Sequence, residues 1–274
     1  MKTVSRHAAL QPFFTGNSYD TPDDKRRLLL DRVFLNTRWY FVGGYVGEII
    51  RTRSIALRGQ YDRSVWADSS HRVFRLIEDI GGRFHLRGLD NLRSCRPPLV
   101  IVSNHMSTLE TFVFPSIIAP FIEVTFVVKD SLVRHPLFGP IMRARNPIVV
   151  KRENPREDFQ TVMTRGMELL AKGTSVIIFP QSTRSAEFVL EEFNSLGIKL
   201  AKAAGVPVMP VAVKTDFWEN GKYLKDLGAI KRNRPIHMVF GQPFSVQGTG
   251  KEDHQKIIDF IVSHLQEWGG DVKG

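Results

Sequence analysis

The chain has 274 residues, 42% of them hydrophobic and 24% charged, enough to bury a full core and ordinary for a globular protein. Its 38 lysines and arginines against 28 aspartates and glutamates leave a net charge of +10, which points to an anionic partner: a phosphate-bearing substrate or an acidic membrane surface. Nucleic acid is set aside because there is no paired-cysteine zinc spacing, aromatic RNA-binding signature or long lysine run, and the single cysteine, Cys95, excludes an intramolecular disulfide.

Residues 1–21 are polar and read as a loosely ordered N-terminus, without the continuous apolar core of a secretory signal. Residues 22–82 read as a helical region. Its first helical pattern runs from Pro22 to about Arg58, with Asp23 and Asp24 in the first turn, where the helix dipole favours them. Within it, Trp39–Gly47 is nine charge-free residues, too short for a bilayer that needs about twenty. The aromatics at 39–41, followed by Arg51, Arg53 and Arg58, fit a membrane interface. They equally fit a helix, or two helices broken at Gly43-Gly44, packed on the core. A second helix is expected over Arg63–Ile80, stopped by Gly81-Gly82.

Residues 83–274 alternate as an α/β domain does. Strands are expected at Phe84–Arg87, Leu99–Val102, Val124–Val128, Ile148–Val150, Ser175–Phe179, Val208–Val213 and His237–Phe240. Helices are expected at Ser107–Ile118, Leu137–Arg143, Pro155–Ala171, Ser195–Ala204 and Lys251–Glu267. The fold class is therefore α/β: one domain with a mostly parallel or mixed central sheet flanked by helices, carrying an N-terminal helical, membrane-associating appendage.

The stretch Leu99–Thr111 carries the chemistry. Leu99–Val102 is an unbroken apolar run, as in a strand buried on both faces. Ser107 and Glu110 have the Ser-x-x-Glu spacing of a capping box, with Ser107 as N-cap. His105 falls between strand and helix, at the carboxyl end of a parallel strand, where open α/β sheets bind ligands. It reads as a general base oriented by Glu110, or as a loop histidine beside a helix cap. The apolar Val113–Ile122 stretch reads as an acyl-chain groove or as ordinary core.

Two further strand ends are cationic. Between Lys129 and Arg152, six basic residues (Lys129, Arg134, Arg143, Arg145, Lys151 and Arg152) face Asp130 alone, a pattern suited to an anionic headgroup or to a solvated basic surface. After Ser175–Phe179 comes Pro180-Gln-Ser-Thr-Arg-Ser185, a polar turn with an arginine. Ser182 lacks the Gly-x-Ser-x-Gly elbow of a hydrolase nucleophile, and Cys95 lies in a loop ahead of the strand. No zinc-ligand spacing occurs.

The order of these pieces resembles the glycerolipid acyltransferase superfamily, in its lysophosphatidic acid (1-acylglycerol-3-phosphate) acyltransferase branch. The resemblance runs from Gly88-Leu-Asp-Asn-Leu92 to Gly241-Gln-Pro-Phe244, over half of the chain. Asn104-His-Met-Ser-Thr-Leu-Glu110 is similar to the family's Asn-His-x-Ser-x-x-Asp block, and Ile148-Val-Val-Lys-Arg152 closes the second block. Phe179-Pro-Gln-Ser-Thr-Arg-Ser185 resembles Phe-Pro-Glu-Gly-Thr-Arg-Ser, and Val206-Pro-Val-Met-Pro-Val211 the fourth block. Glu110 stands where Asp is usual, and Gln181-Ser182 replace Glu-Gly.

The resemblance implies transfer of an acyl group from a thioester donor, acyl-CoA or acyl carrier protein, to the hydroxyl of a lysophospholipid, with no cofactor and no metal. It makes His105 and Glu110 the catalytic pair and Arg152, Arg184, Thr183, Ser182, Gln181 and Lys129 the substrate-binding set. It also implies peripheral attachment to the cytoplasmic face of an anionic membrane, with no transmembrane span. An esterase or thioesterase acting on lipid acyl esters, or a different lysolipid acceptor, fits the same residues.

Overall fold

The computed structural model describes residues 10–29, 31, 38–181, 183–221 and 225–274. Eight strands form one mixed sheet: β1 (Ser18–Asp20), β2 (Phe84–Arg87), β3 (Val100–Ser103), β4 (Val124–Lys129), β5 (Ile148–Val150), β6 (Ser175–Ile178), β8 (Val208–Lys214) and β9 (Ile236–Phe240), with β7 (Glu187–Val189) pairing apart with β10 (Asp271–Lys273). The order across the main sheet is β1-β2-β9-β8-β3-β6-β4-β5. β8, β3, β6, β4 and β5 run parallel, so their carboxyl ends open on one edge; β9 is antiparallel to β8 and carries β2 with it.

The strands read as apolar runs because both faces are covered. Alternate residues divide between two cores: on β3, Ile101 joins one, Val100 and Val102 the other. The first core lies under α1 (Trp39–Leu57), α2 (Arg63–Asp79) and α4 (Leu109–Ile118), and includes Phe41, Tyr45, Phe74, Ile77 and Phe114. The second lies under α7 (Pro155–Ala171), α8 (Leu196–Ala204) and α9 (Lys251–Glu267). Short helices α3 (Leu89–Ser94), α5 (Asp130–Arg134) and α6 (Gly139–Ala144) link strands. Gly88 precedes α3 at φ 74°, and a Cβ there would meet the Phe240 carbonyl oxygen at 2.1 Å, so only glycine fits.

The sheet and its flanking helices, including Arg63–Asp79, follow the sequence expectation closely; the differences lie ahead of Arg63. Ser18–Asp20 is not loop but an edge strand, antiparallel to β2. Among the described residues, the helical pattern expected from Pro22 is absent over residues 22–28, present at Leu29 and Asp31, and continuous over Trp39–Leu57. Residues 22–28 instead run as a strap over the end of α2, with Arg83 donating to the Pro22 carbonyl (2.6 Å), Leu28 N–H to the Asp79 carbonyl (3.0 Å) and Lys25 paired to Asp79 (2.5 Å). Residues 1–9, 30 and 32–37 lie outside the described set.

α1 passes through Gly43-Gly44 unbroken. At Gly44 the helix crosses α2 so closely that a Cβ would sit 2.8 Å from Leu76, whereas Gly43 and Gly47 face open space. α1 and α2 therefore cover the sheet and share its core, where an appendage had been expected. Val113, Phe114, Ile117 and Ile118 also belong to this core. No helix among the described residues is long and apolar enough to cross a membrane.

On the sheet's antiparallel side, the His237 ring is stacked between His85 (4.8 Å) and Trp268 (4.9 Å). Burial, then the charges of His85, Lys214 and Arg87, push its pKa down to about 4. An unfolded histidine titrates near 6.5, so the unfolded chain takes up this proton first. Native stability is thus complete above about pH 6.5 and is lost as pH falls toward 4. In urea unfolding at about pH 7 and about pH 4.5, His237→Phe is expected to lose about 1 kcal/mol less than wild type, the full shift being discounted for solvent screening of a half-buried ring. Equal losses in the two proteins would refute this assignment.

Candidate active site

Every candidate residue that the structure describes comes from the carboxyl edge of the five parallel strands, where backbone polarity and loop length leave room for a ligand. His105 follows β3, Lys129 ends β4, Arg152 follows β5, Gln181 to Arg184 follow β6, and Thr215 follows β8. Ser182 lies outside the described residues.

His105 and Glu110 form a pair: the imidazole Nδ1 lies 2.8 Å from Glu110 Oε1, with the His side chain 13% exposed and the carboxylate fully buried. The extra methylene of Glu, relative to the family's Asp, still reaches the ring. Glu110 Oε1 also accepts the Met106 (2.7 Å) and Ser107 (2.9 Å) backbone N–H groups, and Oε2 accepts from Thr215 Oγ1 (2.6 Å) and Ser107 Oγ (3.0 Å). Burial alone would push this carboxyl up. The His105 hydrogen bond and charge, with Thr215 and the Ser107 amide, outweigh it and hold Glu110 below the usual carboxylate range. An ionised Glu110 fixes the proton on Nδ1 and leaves Nε2 with a free lone pair. Nε2 has no hydrogen bond to any described residue.

The capping box forms in altered register. Thr108, not Ser107, is the N-cap residue, and Ser107 Oγ accepts the Leu109 N–H at 3.1 Å, one residue earlier than the box requires. The reciprocal half survives as the Ser107 N–H to Glu110 bond. One carboxylate therefore both steadies the helix entry and orients the imidazole. The two readings of Glu110 left open by the sequence are compatible.

One face of the imidazole stacks on Phe179, centroids 4.2 Å apart at 19°. Gln181 is buried, and its amide oxygen accepts the His105 N–H at 2.8 Å. It supports the His105 backbone from beneath and is absent from the cavity lining. Asn104 pairs both amide atoms with Val213, Nδ2 to its carbonyl (2.8 Å) and Oδ1 to its N–H (2.9 Å), tying the loop to β8.

His105 opens onto a cavity of about 530 Å³ that is also lined by Lys129, Arg152, Thr183 and Arg184. Away from the cations it is walled by Tyr45 and Ile49 of α1, Trp66 and Val73 of α2, Phe126 and Val128 of β4, and Phe138 and Ile141 near α6. Of the two readings of Val113–Ile122, the core one holds: the stretch packs into the first core and none of it lines the cavity, to which α4 contributes Thr111 and Phe112 instead.

Arg152 has φ 61°, a left-handed conformation that a non-glycine residue holds only when its surroundings fix it. Asp158 of α7 does so, accepting the Lys151 (2.9 Å) and Arg152 (2.8 Å) N–H groups. Loss of water around its guanidinium lowers the Arg152 pKa and the nearby Arg184 charge adds to this, while Asp158 opposes it. Two like charges brought together this way favour an anion between them. Arg184 Nη1 pairs with Asp226 Oδ1 at 2.6 Å and also donates to Thr108 Oγ1. Of the other basic residues in the Lys129–Arg152 window, Arg134 pairs with Asp130, Arg143 donates to the Val133 carbonyl, and Arg145 lines the cavity over Trp66.

Sequence reasoning missed Thr215, Thr108 and Asp226. Thr215 had a usable signal, a hydroxyl just past the carboxyl end of an apolar strand. Asp226 had none, because it lies in a polar loop 42 residues beyond its arginine partner.

Comparison with known proteins agrees with this geometry. A family model described as Acyltransferase matches residues 83–214. The chain is 34% identical over 212 residues to a 1-acyl-sn-glycerol-3-phosphate acyltransferase of Pseudomonas aeruginosa, covering 77% of each protein. It is 28% identical over 236 residues to the Saccharomyces cerevisiae protein of that name, covering 82% of this chain and 74% of the yeast one. Its fold matches the crystal structure of the 1-acyl-sn-glycerophosphate acyltransferase PlsC from Thermotoga maritima with a TM-score of 0.62 and 19% identity, over 87% of this chain and 96% of that one. The strand-end histidine, the cationic rim and these similarities place the chain in the acyltransferase family.

Proposed function

We propose that this protein transfers a fatty acyl group from acyl-CoA or acyl carrier protein to the free hydroxyl of a lysophospholipid, 1-acylglycerol-3-phosphate, in phospholipid biosynthesis. One observation carries the reading: His105, held by Glu110, shares a single cavity with Lys129, Arg152 and Arg184, and that cavity continues into an apolar chamber. A base, an anion clamp and an apolar chamber are the parts that acylation of a phosphorylated lipid alcohol requires.

In this mechanism His105 Nε2 takes the proton of the acceptor hydroxyl as its oxygen attacks the thioester carbonyl. A carbon–oxygen bond forms, the tetrahedral adduct collapses with cleavage of the carbon–sulfur bond, and the imidazolium returns the proton to the departing thiolate. Glu110 stabilises the imidazolium, and the transfer is direct, with no residue acylated. Arg152 and Arg184 hold the acceptor phosphate and so keep its hydroxyl at His105, where positioning rivals acid–base assistance. The relatives named for action on 1-acyl-sn-glycerol-3-phosphate support this choice of acceptor.

Attachment to a membrane surface belongs to the same reading. The outward face of α1 carries Trp39 (62% exposed), Ile50 (56%) and Leu57 (58%), and Arg53 donates to the Pro136 carbonyl, which sets the exposed Leu137 beside it. The inward face of the same helix walls the cavity through Tyr45 and Ile49. An apolar stripe flanked by arginines suits an anionic interface.

Thiol release measured with acyl-CoA and with acyl carrier protein, with and without 1-acylglycerol-3-phosphate, tests the reaction. His105→Ala is expected to lower kcat by about 10²–10⁴-fold with the fold intact; near wild-type turnover would remove the base. Glu110→Gln, unable to offset the imidazolium charge, is expected to lower kcat by about 10²-fold with little change in KM. Arg152→Ala and Arg184→Ala are expected chiefly to raise KM for the phosphorylated acceptor. Equal losses on a phosphate-free acceptor would show that these arginines do not read phosphate, and thiol release that needs no acceptor would mark a thioesterase. Co-sedimentation with anionic vesicles should weaken with salt and with Trp39→Glu/Ile50→Glu; insensitivity to both would count against the α1 surface.

A further inference from the structure

The anion clamp has a carboxylate beside it, and the hydrogen-bond pattern indicates what that carboxylate does. Arg184 Nη1 pairs with Asp226 Oδ1 at 2.6 Å and donates to Thr108 Oγ1, and the Thr108 hydroxyl in turn donates to Asp226 Oδ1 at 2.7 Å. The three groups form a closed triangle around one nitrogen. Nε and Nη2 of Arg184 have no hydrogen bond to any described residue. Those two nitrogens form one edge of the guanidinium, the forked edge that binds a phosphate or carboxylate through two parallel bonds.

Asp226 is not on a free loop. It lies in the 3₁₀ turn Lys225–Leu227, whose Leu227 carbonyl accepts from Arg38 just ahead of α1. Earlier in the same segment, Asn220 Nδ2 donates to the Met106 carbonyl at 2.9 Å, beside His105, and Trp218 packs edge-on against Phe41 and Tyr45. The carboxylate is fastened both to the His105 loop and to the helix that walls the cavity. Thr108, the N-cap residue of α4, makes no capping bond with its side chain, so its hydroxyl is committed to this triangle.

We propose that Asp226, with Thr108, is a positioning residue for acceptor recognition: it holds Arg184 by Nη1 and so presents the Nε–Nη2 edge to the acceptor's phosphate. The inference rests on the reading of Arg184 as a phosphate ligand given above. A long arginine side chain that is free must lose rotamer freedom when it binds, and an arginine already clamped has lost it beforehand. The alternative role, a counter-ion that occupies the phosphate's place and must be displaced, predicts the opposite sign, because removing such a competitor tightens binding.

The test is steady-state kinetics of the full chain at saturating thioester donor, with 1-acylglycerol-3-phosphate and with phosphate-free monoacylglycerol as acceptors. It compares Asp226→Ala, Asp226→Asn, Arg184→Ala and the Asp226→Ala/Arg184→Ala double variant. Asp226→Ala is expected to raise KM for the phosphorylated acceptor about tenfold, with kcat within about twofold and the phosphate-free acceptor unaffected. Asp226→Asn, which keeps an oxygen for Nη1, should recover part of the loss and guards against a folding defect in the alanine variant. In the Arg184→Ala background, Asp226→Ala should add nothing. A lower or unchanged KM in Asp226→Ala, while Arg184→Ala raises it, overturns the positioning role alone. Equal losses on both acceptors also overturn it, as a general structural defect. If Arg184→Ala itself leaves the phosphorylated acceptor's KM unchanged, the reading of Arg184 fails and the inference falls with it.

Discussion

Glu110 is fully buried, and a carboxylate taken out of water persists as a charge only if donors replace the hydration it has lost. Here five do so: the His105 ring, two successive backbone amides and two hydroxyls. The amides of Met106 and Ser107 can both point at one oxygen only if the chain turns sharply after β3. That turn places His105 on the cavity wall and starts α4 at Thr108. Satisfying one charge thus determines the loop, the helix register and the tautomer of the ring together.

Around that loop the sheet supplies rigidity on three sides. Asn104 is locked to β8 through both amide atoms, Gln181 supports the His105 amide from the segment after β6, and Phe179 lies flat against the ring. Because these anchors come from neighbouring parallel strands, the geometry is fixed by the sheet and not by the loop. The cationic residues obey the same logic at β4, β5 and β6. The site is polar where strands end and apolar where α1 and α2 cross above, so one cavity offers a charged mouth and a hydrophobic interior without a domain boundary.

Much of this was legible in the chain. The apolar runs of β3 and β6 located buried strands, the histidine after β3 located the site, and the arginines after β5 and β6 located its anion-binding rim. What could not be read depends on contacts distant in sequence. Thr215 reaches Glu110 across 105 residues, and Gln181, which looked like a substrate ligand by its place in a motif, is taken up by the backbone of His105. Val113–Ile122 reads equally as cavity wall or as core, because hydrophobicity does not distinguish a side chain that lines a void from one that fills a core; the structure makes it core. The Pro22–Arg58 pattern failed at its start for a related reason: Asp23 and Asp24 lie in a turn of the strap that tertiary hydrogen bonds hold over the end of α2.

The stacking of Phe179 on the His105 ring bears on how a proton would travel. Phe179 covers one face of the imidazole and a buried anion engages Nδ1, so both contacts hold the ring in the orientation that directs Nε2 into the cavity. Nε2 is then a single port, and whatever enters through it must leave by it. For the proposed transfer, the sulfur of the departing donor has to come within reach of the Nε2 that now carries the alcohol's proton, which confines donor and acceptor to the same edge of the imidazole.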